Sequence, residues 1–384
     1  MSTIRALAGG LAALALTSVL SACAGDASAS APASPESSTT AETVDLDQLI
    51  ADAEAEGTLT VWDSSSSVED IAELFMEEYP NITVEAIKVS KEEQVTKLSN
   101  EAAGGTPSVD VLNFADTGAL AGVLLPNNLV TSWFPADKAD VIPTDSQNPP
   151  VFVWNPNVFV YNPTTYPDGC PVTNVWDLTE AAWKDKVIFE DPSQSPQLAD
   201  FFTELRINDS DELAAAYQEK FGSAVSGVPG EELLKGWAAN AQITDDSDNV
   251  LGDVGDKDGD TIGFTAASAY YDAEDEGLDV VPCEGLSPWI GYVSPKFAVL
   301  VNNAAHPNAA KLWVDFLLGD KATQPVLDNG GFATNPNVTL PDGINPIPGM
   351  KADHSDLYMF RLDSIDQHWA ERQNTQDLWA EALS

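Results

Sequence analysis

The sequence predicts an α/β protein of two lobes, joined by a two-segment hinge and enclosing a ligand cleft. Strands and helices alternate from residue 45 onward, and a second alternating block follows a Pro-rich stretch from Pro126 to Pro150. Extended apolar segments near 151–161 and 290–300 connect the two blocks. Alternation of this kind implies a largely parallel sheet covered by helices on both faces. With 384 residues, 43% of them hydrophobic, the chain can bury a core and form one large or two ordinary domains.

The first 22 residues read as an export signal. Arg5 is a short basic start, and Ala6 to Leu20 is an apolar run too short for a stable membrane span. It ends in Leu20-Ser21-Ala22-Cys23, which looks like a bacterial lipobox with Cys23 as the lipidation site. Residues 23–43 carry no aromatic or branched aliphatic side chain, so they read as a disordered tether. The layout is that of an exported protein, lipid-anchored to the outer face of the bacterial cell membrane.

In the body, Asp45 to Glu56 reads as an amphipathic helix stopped by Gly57. Leu59 to Trp62 is a strand, Val68 to Tyr79 a helix, Ile82 to Ile87 a strand, Lys91 to Ala103 a helix and Val109 to Phe114 a strand. Val151 to Tyr161 is extended. The second block reads as helix at Val175 to Trp183, strand at Lys186 to Phe189, helix at Pro196 to Arg206 and further helices to about Asn240. Thr261 to Phe264 and Leu278 to Val281 are expected strands around a helix from Ser268 to Glu276. Lys296 to Val301 is another strand, with helices at Asn308 to Leu318 and Lys321 to Leu327. Residues 44–150 with 296–345 form lobe 1, residues 151–295 form lobe 2, and 346–384 are C-terminal helices.

Charge narrows the function. Asp plus Glu number 61 against 17 Lys plus Arg, a formal net charge of −44. That excludes nucleic-acid binding by phosphate neutralisation and disfavours adsorption to anionic lipid. An anionic ligand stays open, because backbone N–H groups can hold one. Cys170 and Cys283 are an even pair in an oxidising compartment, read as a disulfide with two free buried thiols as the alternative.

The segments LTVWDSSSSVEDIAELFMEEYPNITVEAIKV, PSVDVLNFADTGALAGV, NVFVYNPTTYP, WKDKVIFEDPSQSP, IGFTAASAYYDAEDEGLDV and VLVNNAAHPNAAKLWVDFLLGDKA run in the order found in bacterial solute-binding proteins of ABC importers. The chain is most similar to the branch that includes ferric-ion-, sugar-phosphate- and phosphonate-binding proteins. The resemblance covers about residues 57–330. It implies a periplasmic-binding-protein-like type II fold that closes on a small solute and delivers it to a membrane permease, without catalysis or a cofactor. A monomer is expected.

Candidate ligand residues cluster at helix starts. Ser64, Ser65, Ser66 and Ser67 lie between a strand end and a helix, where Ser66 with Glu69, or Ser67 with Asp70, can form a capping box. The same N–H groups and hydroxyls can hold an oxyanion. Ser193 and Ser195 match the family loop that faces the cleft, with Ser195 as helix cap and Pro196 at the first helical position. Asp116 matches a first-lobe cleft loop, with a helix cap as the other reading. Thr265 and Ser268 precede or open another helix. Tyr270-Tyr271 match the tyrosine pair that coordinates iron in ferric-binding relatives, with core packing as the alternative. Those relatives carry a His or acid where this chain has Ser64 to Ser67, so the iron reading lacks a ligand.

Trp313 and Trp237 read as core, and Trp62 and Trp289 as near the cleft edges. The chain has no GxSxG or GxxxxGK[ST] motif, and His306, His354 and His368 have no zinc spacing. The rival from another class is a secreted glycan-binding or glycan-degrading lipoprotein using a carboxylate pair.

Overall fold

The computed structural model describes residues 44–105, 107–208, 211–256, 259–328, 330–339, 347, 350–351 and 354–384. The signal segment, Cys23 and the tether lie outside the described residues. The strands in chain order are β1 Thr58–Asp63, β2 Thr83–Lys88, β3 Val111–Phe114, β4 Val130–Thr131, β5 Val151–Tyr161, β6 Val187–Glu190, β7 Ala241–Thr244, β8 Ile262–Ala266, β9 Val281–Pro282, β10 Gly291–Val301, β11 Phe332–Ala333 and β12 Leu357–Met359. The first six helices are α1 Leu46–Glu56, α2 Ser67–Glu78, α3 Lys91–Gly104, the single turn α4 Thr117–Ala119, α5 Pro196–Ile207 and α6 Asp211–Phe221. The rest are α7 Pro229–Asn240, α8 Ser247–Gly255, α9 Ala267–Glu276, α10 Pro307–Leu317, α11 Gln324–Leu327 and α12 Ile365–Leu383. A π-helical turn, Leu120–Leu124, extends α4.

Local chemistry sets many of these ends. The Asp45 carboxylate accepts from the first N–H groups of α1, and Gly57 takes the left-handed φ of 72° that ends the helix. Pro196, Pro229 and Pro307 each open a helix, where a missing N–H costs nothing.

One sheet runs in the order β2-β1-β3-β10-β5-β8-β6-β7. Pairing is parallel for β2-β1-β3 on one side and for β8-β6-β7 on the other. The middle is antiparallel at β3/β10, β10/β5 and β5/β8, so the expected parallel sheet holds only within each side. β5 and β10 are both 11 residues long. β10 pairs with β5 over Gly291–Phe297 and with β3 over Phe297–Leu300, and its register shifts between Lys296 and Phe297. These two strands therefore carry the chain from one α/β lobe to the other. Gly291 lets them approach, since a Cβ there would lie 2.1 Å from the Asn157 carbonyl oxygen.

Two cores pack on the sheet. One packs Phe75, Trp313 and Phe316 against β1 and α1. The other runs from Trp62, Leu98 and Phe114 across the seam to Phe159, Phe189, Trp237 and Trp379 of the second lobe. Trp313 and Trp237 are core as expected. Trp62 and Trp289 are core too, at 3% and 1% exposed, and not cleft-edge residues. Both are large rings in apolar strand or pre-strand context, and burial wins.

The reading of 175–183 as one helix is replaced by two 3₁₀ turns. Residues 357–359, expected to be helical, form β12 against β10. Strand β7 and helix α8 were not anticipated. The disulfide Cys170–Cys283 is present, across a sequence separation of 113. No helix among the described residues is long and apolar enough to cross a membrane.

Candidate functional site

A cleft of about 440 Å³ lies at the carboxyl ends of the strands. This is where open α/β sheets bind ligands. Its walls come from both sides of the sheet. Ser64–Ser67 follow β1, Lys88 ends β2, Lys91 opens α3 and Ala115 follows β3. From the other side come Gln197 of α5, Ala266 of β8 and Ser268 of α9, with Asn155, Asn157 and Lys296 on the hinge strands.

Asp63 organises the first wall. Its buried carboxylate accepts from the Ser65 N–H at 2.8 Å and from Asn113 Nδ2 at 3.0 Å. Lys296 Nζ, 4% exposed, lies 2.5 Å from Asp63 Oδ1. Ser65 Oγ and Ser67 Oγ are 2.8 Å apart, and Ser67 N–H donates to Ser65 Oγ. The capping box expected of Ser66 and Glu69 is not formed, because the Ser66 side chain makes no cap bond. The turn held by Asp63 places Ser65 over the helix start, which leaves the Ser66 hydroxyl outside that role.

Lys91 is the second organiser. Its Nζ donates to Gln197 Oε1 at 2.7 Å, across the cleft, and Gln197 Nε2 donates to Ser294 Oγ at 2.9 Å on β10. Burial strips water from the ammonium and lowers its pKa, and the nearby charges of Glu190 and Asp116 offset this only in part. Three of the chain's 17 Lys and Arg thus line the cleft, and no Asp or Glu is among the lining residues. No aromatic ring lines it either. The lining surface thus carries cations and no carboxylate in a chain of net charge −44, with Asp63 buried beneath it and paired to Lys296.

Of the residues expected from sequence, Ser64, Ser65, Ser66 and Ser268 meet in this cleft. Ser195 lines a neighbouring space of about 30 Å³ with Asn157 and Gln197. Ser193 is exposed in the loop before α5, its N–H bonded to Asp191 Oδ1 at 2.8 Å. Thr265 is buried and donates to the Ser247 carbonyl. Asp116 is buried as the cap of α4, accepting from Ala119 N–H at 2.9 Å, and its carboxylate is held by Arg372. Tyr271 lines a separate cavity of about 740 Å³ with Trp154, Phe332 and Met350. Its ring lies against Tyr270, with centroids 5.4 Å apart. Burial, then the neighbouring Tyr270, raises the Tyr271 phenol pKa and disfavours phenolate. Among the described residues no group of three His, Cys, Asp or Glu could hold a metal ion.

Sequence reasoning missed Lys88, Lys91, Asn155, Asn157, Gln197 and Lys296. Two signals were available. Lys296 is a lone cation at the head of the apolar run KFAVLV, and Asn155-Pro156-Asn157 interrupts the apolar hinge strand.

The fold has many solved counterparts. Iron-bound HitA from Pseudomonas aeruginosa is 16% identical with a TM-score of 0.65, the alignment covering 85% of this chain and 99% of that one. The substrate-binding protein of an ABC transporter from Agrobacterium tumefaciens is 18% identical with a TM-score of 0.65, over 85% of this chain and 94% of that one. IdiA (FutA) of Trichodesmium, solved with iron and citrate ligands, is 16% identical with a TM-score of 0.63, over 85% and 99%. No curated protein is similar enough in sequence to be matched to this chain. Residues 62–324, more than half of the chain, match the family of the bacterial extracellular solute-binding protein. A type II two-lobed fold, a polar cleft at the strand ends and that match together make the protein a member of the bacterial extracellular solute-binding family, whose members carry small ligands or iron to ABC permeases.

Proposed function

We propose that the protein is a lipid-anchored receptor that captures a small oxyanion, of the organophosphate or phosphonate class, and delivers it to an ABC importer. The observation that carries this reading is the cleft lining, in which Lys88 and Lys91, with the Asp63-paired Lys296, meet the serines at the start of α2 and no carboxylate is among the lining residues. An anion there gains charge-assisted hydrogen bonds and the favourable end of a helix dipole. Repulsion from the acidic surface is screened beyond about 8 Å at physiological salt. The remaining lining, Asn155, Asn157, Gln197 and Ser268, suits a hydroxylated or amide-bearing body on the same ligand. The Cys23 lipobox and the tether at 23–43 hold the receptor beside its permease, and it works as a monomer. Lobes of 44–150 with 296–345 and of 151–295 close on the solute about β5 and β10.

Ferric iron is the second reading, favoured by the structures of HitA and the Trichodesmium protein, which both hold iron. Against it stands the position of Tyr271 outside the cleft lining. A glycan reading finds neither an aromatic platform nor a carboxylate pair in the lining.

A thermal-shift screen of the full chain against phosphate esters, phosphonates, neutral sugars and ferric citrate tests the proposal. A ligand at a hundredfold excess over Kd stabilises by about 2.7 kcal/mol. Stabilisation by neutral sugars but by no anion would refute the oxyanion reading.

A further inference from the structure

We propose that Arg372 is a positioning residue for the cleft: from α12 it holds the loop after β3 and the start of α5 at a fixed separation. The inference needs only the two-lobed fold and not the identity of the solute. Helix α12 packs on α5 and α7 of the second lobe, and also on α4 and the π-helical turn of the first. It is therefore a third connection between the lobes, beside β5 and β10.

Arg372 is the residue that joins them. One of its nitrogens, Nη2, lies 2.5 Å from Asp116 Oδ1 and 2.7 Å from Asp200 Oδ1, and Nη1 donates to Asp116 Oδ2 at 3.2 Å. Asp116 directly follows Ala115, a cleft residue, and Asp200 lies three residues after Gln197, another. Asp200 Oδ2 also accepts the Thr117 N–H at 3.1 Å, so the second-lobe carboxylate itself reaches the first lobe. The close approach depends on two glycines. A Cβ at Gly118 would lie 2.5 Å from Arg372 Nη2, and one at Gly122 would lie 2.0 Å from Trp369 Cγ. Behind the pair, His368 Nε2 meets Glu204 Oε2 at 2.7 Å, which seats α12 on α5.

The chemistry makes this more than a packing contact. Asp116 and Asp200 are both buried and converge on one guanidinium nitrogen. Without Arg372 the two carboxylates at that spacing repel in a poorly solvated setting, and His368 Nδ1, 3.6 Å from Asp200 Oδ1, offsets charge only on the second-lobe side. Because they belong to opposite walls of the cleft, that repulsion parts the walls. Arg372 sets the cleft width without touching the ligand.

The test reads lobe separation directly in the ligand-free, full-length protein. Spin labels at Glu73→Cys on α2 and Glu219→Cys on α6, both exposed, report the interlobe distance by pulsed electron resonance. Arg372→Met is expected to give a longer and broader distance distribution than the parent. Arg372→Lys keeps a cation and stays near the parent distribution. Adding Asp116→Asn and Asp200→Asn to Arg372→Met removes the repelling charges and returns the distribution toward the parent. An unchanged distribution in Arg372→Met, with only a lower Tm, would assign the residue a purely structural role and overturn the proposal. So would a triple variant as open as Arg372→Met alone. If Arg372→Met does not accumulate folded, Arg372→Gln, which also leaves both carboxylates without the guanidinium, is read in its place with and without Asp116→Asn and Asp200→Asn, and the same two outcomes decide. No solute is added, so the result is independent of which ligand the cleft takes.

Discussion

Lys296 and Asp63 form a buried ion pair at the floor of the cleft, with Nζ 2.5 Å from Oδ1. The pair links the hinge strand β10 to the end of β1, and the same carboxylate shapes the serine turn through the Ser65 N–H. One contact thus fixes both a cleft cation and the start of α2. Breaking a buried pair by removing one partner typically costs about 3–5 kcal/mol, whereas replacing both with apolar groups of similar volume is often neutral. Asp63→Ala should therefore lower unfolding stability by about that amount in a denaturant titration. Asp63→Leu with Lys296→Met should lose much less stability, while weakening anion binding. Equal stability losses in the two variants would argue against the pairing.

Lys91 should dominate the affinity. A hydrogen bond to a charged group contributes about 1.5–3 kcal/mol, or roughly 10- to 100-fold in Kd. Lys91→Ala is expected to weaken binding of a phosphate ester by that factor in titration calorimetry. Lys88 is exposed, and its alanine variant should cost less.

The disulfide gives a third expectation. Cys170–Cys283 closes a separation of 113 residues within the second lobe. Loops near 100 residues gain about 4.7 kcal/mol in the chain-entropy model, with strain able to reduce it. The Cys170→Ser, Cys283→Ser variant should melt lower than the parent by calorimetry. Two free thiols in natively exported protein, seen by mass spectrometry, would contradict the bridge.

His368 predicts a loss of stability in mild base. It is fully buried, with Glu204 and Asp200 of α5 against it, Arg372 on its own helix, and Tyr358 of β12 bonded to Glu204. Burial disfavours the imidazolium, but the hydrogen bond to Glu204 and the charges of Asp200 and Glu204 outweigh it and raise the pKa to about 9. A raised folded-state pKa means the contribution is full below the unfolded value of about 6.5 and is lost as pH rises through about 9. Unfolding midpoints measured between pH 6 and pH 10 should fall more in the parent than in His368→Gln. Parallel profiles would remove the imidazolium from the account.

The anchor is tested apart from the fold. Cys23→Ala should release the protein from membranes in a fractionation assay, and unchanged partitioning would reject lipidation at Cys23.

Much of the fold was legible because its signals are local. Asp45 and Gly57 bound α1, Pro196 opens α5, and the apolar run VFVWNPNVFVY is β5 with the bounds expected of it. The cleft was legible only where helix-start chemistry marks it, at Ser64–Ser66 and Ser268. Lys91 and Gln197 sit 106 positions apart and meet only through tertiary folding. Asp116 illustrates the same limit. Its cap to Ala119 is local and was the alternative to the ligand role expected of it, whereas its cation, Arg372, comes from 256 residues away. Trp62 and Trp289 were misread because strand ends look alike in sequence whether they face a cleft or a core.

The oxyanion reading meets its most direct test in a competition between its two ligand classes. Ferric iron with citrate is added to the full-length protein, the visible spectrum is searched for a tyrosinate-to-iron band, and a phosphate ester is then titrated by calorimetry. The account predicts no such band, and anion binding that weakens at least about tenfold in Lys91→Ala. A charge-transfer band that disappears in Tyr270→Phe or Tyr271→Phe, with no heat from any phosphate ester or phosphonate, would contradict it.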